Sequence, residues 1–135
     1  MIENAENLTR LNDKITVTIA INYGGRHEIT SAIFRMCEDM RLRGLDPDMD
    51  RIENLFPKYL MTYDIPDPDL LIRTSEEKRI SNFLIWQCAY TEFVFEDCLW
   101  PDFSKANLEA AIAEFKTRDR RYGGINASHS GRSDS

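Results

Sequence analysis

Asp67-Pro68-Asp69-Leu70-Leu71-Ile72-Arg73-Thr74-Ser75-Glu76-Glu77-Lys78-Arg79-Ile80-Ser81-Asn82-Phe83 is the stretch whose reading decides the fold. It opens with turn formers and passes through the apolar run Leu70-Leu71-Ile72. It then releases arginines, hydroxyls, glutamates and a lysine. A short continuous apolar run reads as a strand covered on both faces of a parallel sheet. Such a strand delivers its polar groups at the C-terminal end, where open α/β sheets build ligand sites.

Upstream, residues 15–21 (Ile-Thr-Val-Thr-Ile-Ala-Ile) are β-branched and nearly continuous, so they predict another buried strand. Asn22-Tyr23-Gly24-Gly25-Arg26 breaks it with a tight turn. Ile29, Ile33, Met36 and Met40 then fall at helical spacing, and Arg41, Arg43 and Gly44 supply a helix end. Met49, Ile52, Leu55 and Phe56 share a face of a short helix stopped by Pro57. Residues 1–12 read as a polar helix.

Downstream, Ser81 can cap a helix running through Ala89, and Phe93-Val94-Phe95 reads as a third strand. Ser104 caps a last helix with the stripe Leu108, Ala111, Ile112 and Phe115. The order is strand, helix, helix, strand, helix, strand, helix. That is an α/β fold with a parallel sheet flanked by helices. Residues 125–135 are small and polar and are expected to be a disordered tail.

With 135 residues the chain is one domain by length. The net charge of −6 argues against a general nucleic-acid binder, which needs excess positive charge. No apolar run reaches the roughly 20 residues that span a bilayer, and at most peripheral membrane contact is expected. The N-terminus lacks a signal-peptide pattern. The 3 cysteines, Cys37, Cys88 and Cys98, lack metal-ligand spacing and are expected to be buried, reduced thiols of a cytoplasmic protein.

Several places can carry chemistry. Residues 22–26 could present free backbone N–H groups to an anion, or could be only a tight strand-to-helix connection. Arg73 and Arg79, with Ser81 at a helix start, make a diphosphate cradle, because guanidinium forks match phosphate oxygens. Glu76 and Glu77 could instead pair with those arginines and leave a solvated loop. Glu92 sits between apolar neighbours, where a carboxylate can bind Mg²⁺ or be structural. Arg118-Asp119-Arg120-Arg121-Tyr122-Gly123 serves as a basic helix end, or reaches an anionic site on the same or a neighbouring chain.

In this order these segments resemble the cis-prenyltransferases, the undecaprenyl diphosphate synthase family. The matching residues run from Ile21-Asn22-Tyr23-Gly24-Gly25-Arg26, with Glu28 and Ile29, through Pro68-Asp69-Leu70-Leu71-Ile72-Arg73-Thr74-Ser75. They continue through Arg79-Ile80-Ser81-Asn82-Phe83-Leu84-Ile85-Trp86-Gln87, Ala89-Tyr90-Thr91-Glu92 and Trp100-Pro101-Asp102-Phe103 to the arginine-rich segment before Gly124. The resemblance covers residues from about 6 to 124. It implies a transferase that condenses isopentenyl diphosphate with an allylic diphosphate in cis, giving a polyprenyl diphosphate. It further implies Mg²⁺ and a homodimer. By resemblance, Arg73, Arg79 and Ser81 hold the diphosphate of isopentenyl diphosphate, and Glu92 is the metal ligand. Asn22, Arg26, Glu77, Arg120 and Gly123 are supporting residues, the last two across the dimer interface.

Two departures accompany the resemblance. Glu76 stands where the family usually has glycine, which would allow φ > 0 at a cost to a glutamate of roughly 1 kcal/mol or more. The family's opening His-x-Asp-Gly-Asn-x-Arg-Trp-Ala segment, with its catalytic Asp, has no match in residues 1–20. The chain therefore resembles the C-terminal half of the family's fold over residues 1–124, with no catalytic residue of its own assigned. Two readings follow: a prenyltransferase completed by an N-terminal half, or a non-catalytic partner or remnant that binds a full-length synthase.

Overall fold

The structure, a computed structural model, describes residues 2–118. Arg120, Gly123 and the expected tail at 125–135 lie outside the described residues. Strand β1 (Leu70–Arg73) and strand β2 (Glu92–Phe95) pair in parallel, with Leu70 opposite Glu92 and Arg73 opposite Phe95. The predicted parallel pairing is present, and the chain also forms helices α1 (Ile2–Thr9), which buries no residue, α2 (Gly25–Arg43), α3 (Met49–Leu55) and α4 (Lys105–Thr117), the last packed on β2. The pairing extends past both strand ends. The Glu92 N–H donates to the Asp69 carbonyl, and the Glu96 N–H donates to the Arg73 carbonyl at 2.8 Å.

Helix α2 ends as predicted. Gly44 takes φ 63°, and its N–H and that of Leu45 donate to the Arg41 and Met40 carbonyls. Asp48 caps α3, its carboxylate accepting from the Arg51 N–H at 2.9 Å. Pro57 lies in the 3₁₀ turn Phe56–Tyr59 that ends α3. The main core joins this turn to α2: Ala32, Met36, Met40, Phe56 and Leu60 are buried, with Ile29, Ile52, Leu55 and Tyr59 packed against them. The Tyr59 hydroxyl donates to Asp39, which holds that carboxyl below its ordinary range with help from Arg43. Ser104 and Asn107 form a reciprocal cap on α4. Ala111 of α4 is buried, as is Val94 of β2, while Leu108 of the predicted stripe is exposed.

Three expectations fail for identifiable reasons. Residues 15–21 form no strand, and Ile15, Val17, Ile19 and Ile21 are all more than 70% exposed. A strand exists only where a neighbour accepts its backbone bonds, and neither β1 nor β2 pairs with this segment. Residues 81–89 form linked turns instead of a helix. Ser81, Asn82 and Leu84 adopt φ of 46°, 65° and 43°, which no right-handed helix contains. Phe83, Ile85 and Trp86 add little helical preference to resist this. Cys88 is buried, but Cys37 is exposed on α2. The buried face of α2 follows Glu28, Ala32, Met36 and Met40, and Cys37 lies about 100° around from Met36.

Candidate functional site

Arg73 ends β1, and its side chain is half-buried. Its Nε is buried without a hydrogen-bond partner, and Arg73 makes no ion pair among the described residues. A buried donor in that state carries a desolvation cost of roughly 1–3 kcal/mol until an acceptor arrives. The chain then turns through Ser75 and Glu76 with φ of 71° and 58°. Glu76 therefore holds the left-handed conformation that a glycine would adopt freely. Two hydrogen bonds impose it: Ser75 N–H to the Cys98 carbonyl at 2.8 Å, and Glu76 N–H to the Glu96 carbonyl at 3.4 Å. Arg79 is paired with Glu77 at 2.6 Å on the surface. That is the alternative pairing the charges allowed, realised for Arg79 and not for Arg73.

The start of α2 meets the turn at residues 80–85. Asn82 accepts twice: its carbonyl from the Gly25 N–H at 2.7 Å and its Oδ1 from the Arg26 N–H at 2.9 Å. These N–H groups are thus committed to Asn82 and are not free for an anion. The glycines permit the approach. A Cβ on Gly25 would stand 2.9 Å from Ile85 Cγ1 and 3.1 Å from the Asn82 carbonyl oxygen. Asn22 turns the chain into this contact with φ 54°. An open cleft of about 330 Å³ lies above it, lined by Arg26, Ile80, Asn82 and Ile85. Ser81 is exposed and caps no helix, because none forms there.

A polar cluster gathers on Glu28 of α2. Glu28 is 0% exposed. Its Oε1 accepts from the Met61 N–H at 2.8 Å, and its Oε2 accepts from Gln87 Nε2 at 3.0 Å and from the Tyr23 hydroxyl. Gln87 Nε2 also donates to Thr62 Oγ1 at 2.7 Å. One carboxylate thus ties together the turn before α2, residues 61–62 and the irregular segment leading to β2. Burial, then the hydrogen bond to Glu28, pushes the Tyr23 hydroxyl above its ordinary range. The signal was present in the sequence: Glu28 falls in register with Ala32, Met36 and Met40 at intervals of four, on the face that must be buried.

Glu92 opens β2. In the parallel register it lies opposite Leu70, three residues before the level of Arg73, or about 10 Å along the strands. The structure therefore does not gather Glu92 and Arg73 at one end of the sheet. Glu92 Oε2 is ion-paired with Arg118 Nη1 at 2.9 Å, while Arg118 Nη2 bonds Glu114. Among the described residues no three His, Cys, Asp or Glu side chains stand together as a metal site. A single carboxylate already holding a guanidinium does not make a resident magnesium site. No helix among the described residues is long and apolar enough to cross a membrane.

The comparisons with known proteins agree with one another. The family model described as putative undecaprenyl diphosphate synthase matches residues 1–123. An isoprenyl transferase of Caulobacter vibrioides is 49% identical over 127 residues, which is 94% of this chain and 49% of that protein. A ditrans,polycis-undecaprenyl-diphosphate synthase of Micrococcus luteus, specific for (2E,6E)-farnesyl diphosphate, is 48% identical over 90% of this chain and 48% of its own length. A lavandulyl diphosphate synthase from Lavandula x intermedia superposes with TM-score 0.82 at 39% identity, covering 91% of this chain and 52% of that one. The chain spans about half the length of the relatives it matches. By sequence and by fold, it belongs to the undecaprenyl diphosphate synthase family of prenyltransferases.

Proposed function

We propose that this chain carries the isopentenyl diphosphate half of a site that condenses isopentenyl diphosphate with an allylic diphosphate in cis, giving a polyprenyl diphosphate. The observation that supports it most is the Arg73 Nε, buried beside the loop with no acceptor. A diphosphate oxygen supplies what that donor lacks. Arg79 joins by leaving Glu77, an exchange that costs little because exposed pairs are weak. Ser81, between the lining residues Ile80 and Asn82 in sequence, adds a hydroxyl, and Arg26 lines the cleft as a further cation. Asn22 and Asn82 hold these pieces in place. Glu77 is the resident anion that the substrate replaces.

In this reading Mg²⁺ arrives on the substrate, since its preferred shell mixes few carboxylates with phosphate oxygens. Glu92 is the carboxylate that the family resemblance assigns to it. Residues 1–124 act as the C-terminal part of the synthase domain and 125–135 as a tail. The allylic pocket and the catalytic Asp come from a complementary N-terminal half. The exposed apolar segment at 15–21 is the strand that such a half would cover. Arg120 and Gly123 belong to a segment completing the site across a homodimer, in the cytoplasm and at most touching the membrane periphery.

A second reading, a non-catalytic partner of a full-length synthase, draws on Glu76 in the left-handed turn and on Glu92 held by Arg118. Titration calorimetry separates the two. Isopentenyl diphosphate with Mg²⁺ is expected to give heat with the wild-type chain and none with Arg73→Ala. Equal heat from both would sink the proposed site. The chain alone is expected to elongate no allylic diphosphate, and measurable elongation would contradict the half-site.

A further inference from the structure

We propose that Glu28 is a positioning residue for the diphosphate side chains: through Gln87, and through Tyr23 against Phe83, it fixes where Arg79 and Ser81 stand. The inference rests on the reading of Arg79 and Ser81 as diphosphate ligands, and it concerns a group whose own hydrogen bonds go to neither. Glu28 lies in the first turn of α2 and continues the buried register of Ala32, Met36 and Met40. An apolar side chain there would join that core with no buried charge to satisfy. The carboxylate instead gathers three neutral donors: the Met61 N–H at 2.8 Å, Gln87 Nε2 at 3.0 Å and the Tyr23 hydroxyl. A group that is costly to bury and exacting about its partners selects one arrangement of the segments that carry them.

Two of those donors lead to the cradle. Gln87 ends a stretch of linked turns that begins at Ser81, and its amide is held between Glu28 and Thr62 Oγ1. The Tyr23 ring meets Phe83 edge-on, with 5.5 Å between centroids. The Phe83 N–H donates to the Ile80 carbonyl at 2.9 Å, and Ile80 is flanked in sequence by Arg79 and Ser81. Asn82 fastens the same turn to Gly25 and Arg26. The first turn of α2 thus holds Asn82, Gln87 and, by way of Tyr23, Phe83. Left-handed φ at Ser81, Asn82 and Leu84 persists only where the surrounding contacts over-determine it. When Gln87 is released the turns relax, and Arg79 and Ser81 lose their fixed positions. Ordering them then falls to the ligand, and affinity drops.

Calorimetric titration of the full 135-residue chain with inorganic pyrophosphate tests this. Gln87→Met keeps the side-chain length and removes both amide bonds. It is expected to bind about three- to tenfold more weakly than wild type, at a temperature where urea unfolding shows both to be folded. Hydrogen exchange should quicken at the Phe83 and Cys88 amides and stay unchanged at Gly44 and Leu45, at the far end of α2. Exchanging the pair, Glu28→Gln with Gln87→Glu, restores a carboxylate–amide bond between the two positions and should recover most of the affinity. Where Gln87→Met does not fold, Tyr23→Phe, which keeps the ring and loses the hydroxyl, is expected to give a smaller loss in the same direction. Equal affinity in wild type and the folded variant, with binding weakened by Arg79→Ala, would overturn the role of Glu28 and leave the diphosphate reading standing. A loss in Gln87→Met that the exchanged pair does not recover would overturn that role too, by placing the effect in Gln87 alone. Binding absent in wild type, or unchanged by Arg79→Ala, would overturn the diphosphate reading itself.

Discussion

Replacing Glu28 removes the one acceptor that three chain segments share. In Glu28→Ala the Met61 N–H, Gln87 Nε2 and the Tyr23 hydroxyl lose their acceptor together. Gln87 retains Thr62 as a partner, and Tyr23, half-buried, can reach water. The Met61 N–H, part-buried at this contact, loses its only protein acceptor. A stranded buried donor costs roughly 1–3 kcal/mol, so a loss of about 2 kcal/mol is expected. That is a large part of the 5–15 kcal/mol typical of domains. Glu28→Gln keeps one acceptor oxygen, which can serve either Met61 or the Tyr23–Gln87 pair, so about half that loss is expected. Urea unfolding followed by circular dichroism reads both values, with constant slope showing that the unfolded state is unchanged. If Glu28→Ala cost less than about 1 kcal/mol, Glu28 would not be the tie between these segments.

Glu76→Gly is expected to stabilise the chain by up to about 1 kcal/mol, because glycine holds φ 58° without strain while giving up some unfolded-state entropy. A lowered melting temperature would show that the turn is unstrained. Gly25→Ala should destabilise by about 1–3 kcal/mol, since its methyl would meet Ile85 and the Asn82 carbonyl, and thermal unfolding unchanged from wild type would refute that close approach. Tyr23 has a raised folded pKa, so its contribution is full below the unfolded value near 10 and is lost as pH climbs through the higher folded value. Stability should therefore fall above about pH 10 in wild type and less steeply in Tyr23→Phe, and parallel curves would contradict the buried hydroxyl.

What the sequence disclosed depended on how local the cause was. The end of α2 at Gly44 and the Asp48 and Ser104 caps each need only neighbours within a few residues, and all appear; Leu70-Leu71-Ile72 also forms its strand, because β2 is there to pair with it. The left-handed turn at Glu76 was legible too, from a glycine position filled by another residue. The partnership of Arg118 with Glu92 was not, because it joins residues 26 apart through the packing of α4 on β2. Nor was the cluster around Glu28, whose partners Met61 and Gln87 lie 33 and 59 residues away.

The two elements that did not form carry a different lesson about the same dependence. The β-branched run at 15–21 specifies burial on two faces, and the described residues provide neither a neighbouring strand nor a covering layer. Its pattern is a statement about surroundings that the described residues do not supply. The segment at 81–89 fails for the opposite reason, an excess of partners. Asn82 spends its carbonyl and side chain on the start of α2, and Gln87 spends its amide on Glu28 and Thr62. Holding both in those directions requires the left-handed residues that exclude a helix. The segment that carries Ser81 and leads to Glu92 is thus shaped by tertiary bonds, and its position depends on α2. A perturbation at Glu28 or Gly25 should therefore reach Arg79 and Glu92, which flank this segment, without touching either.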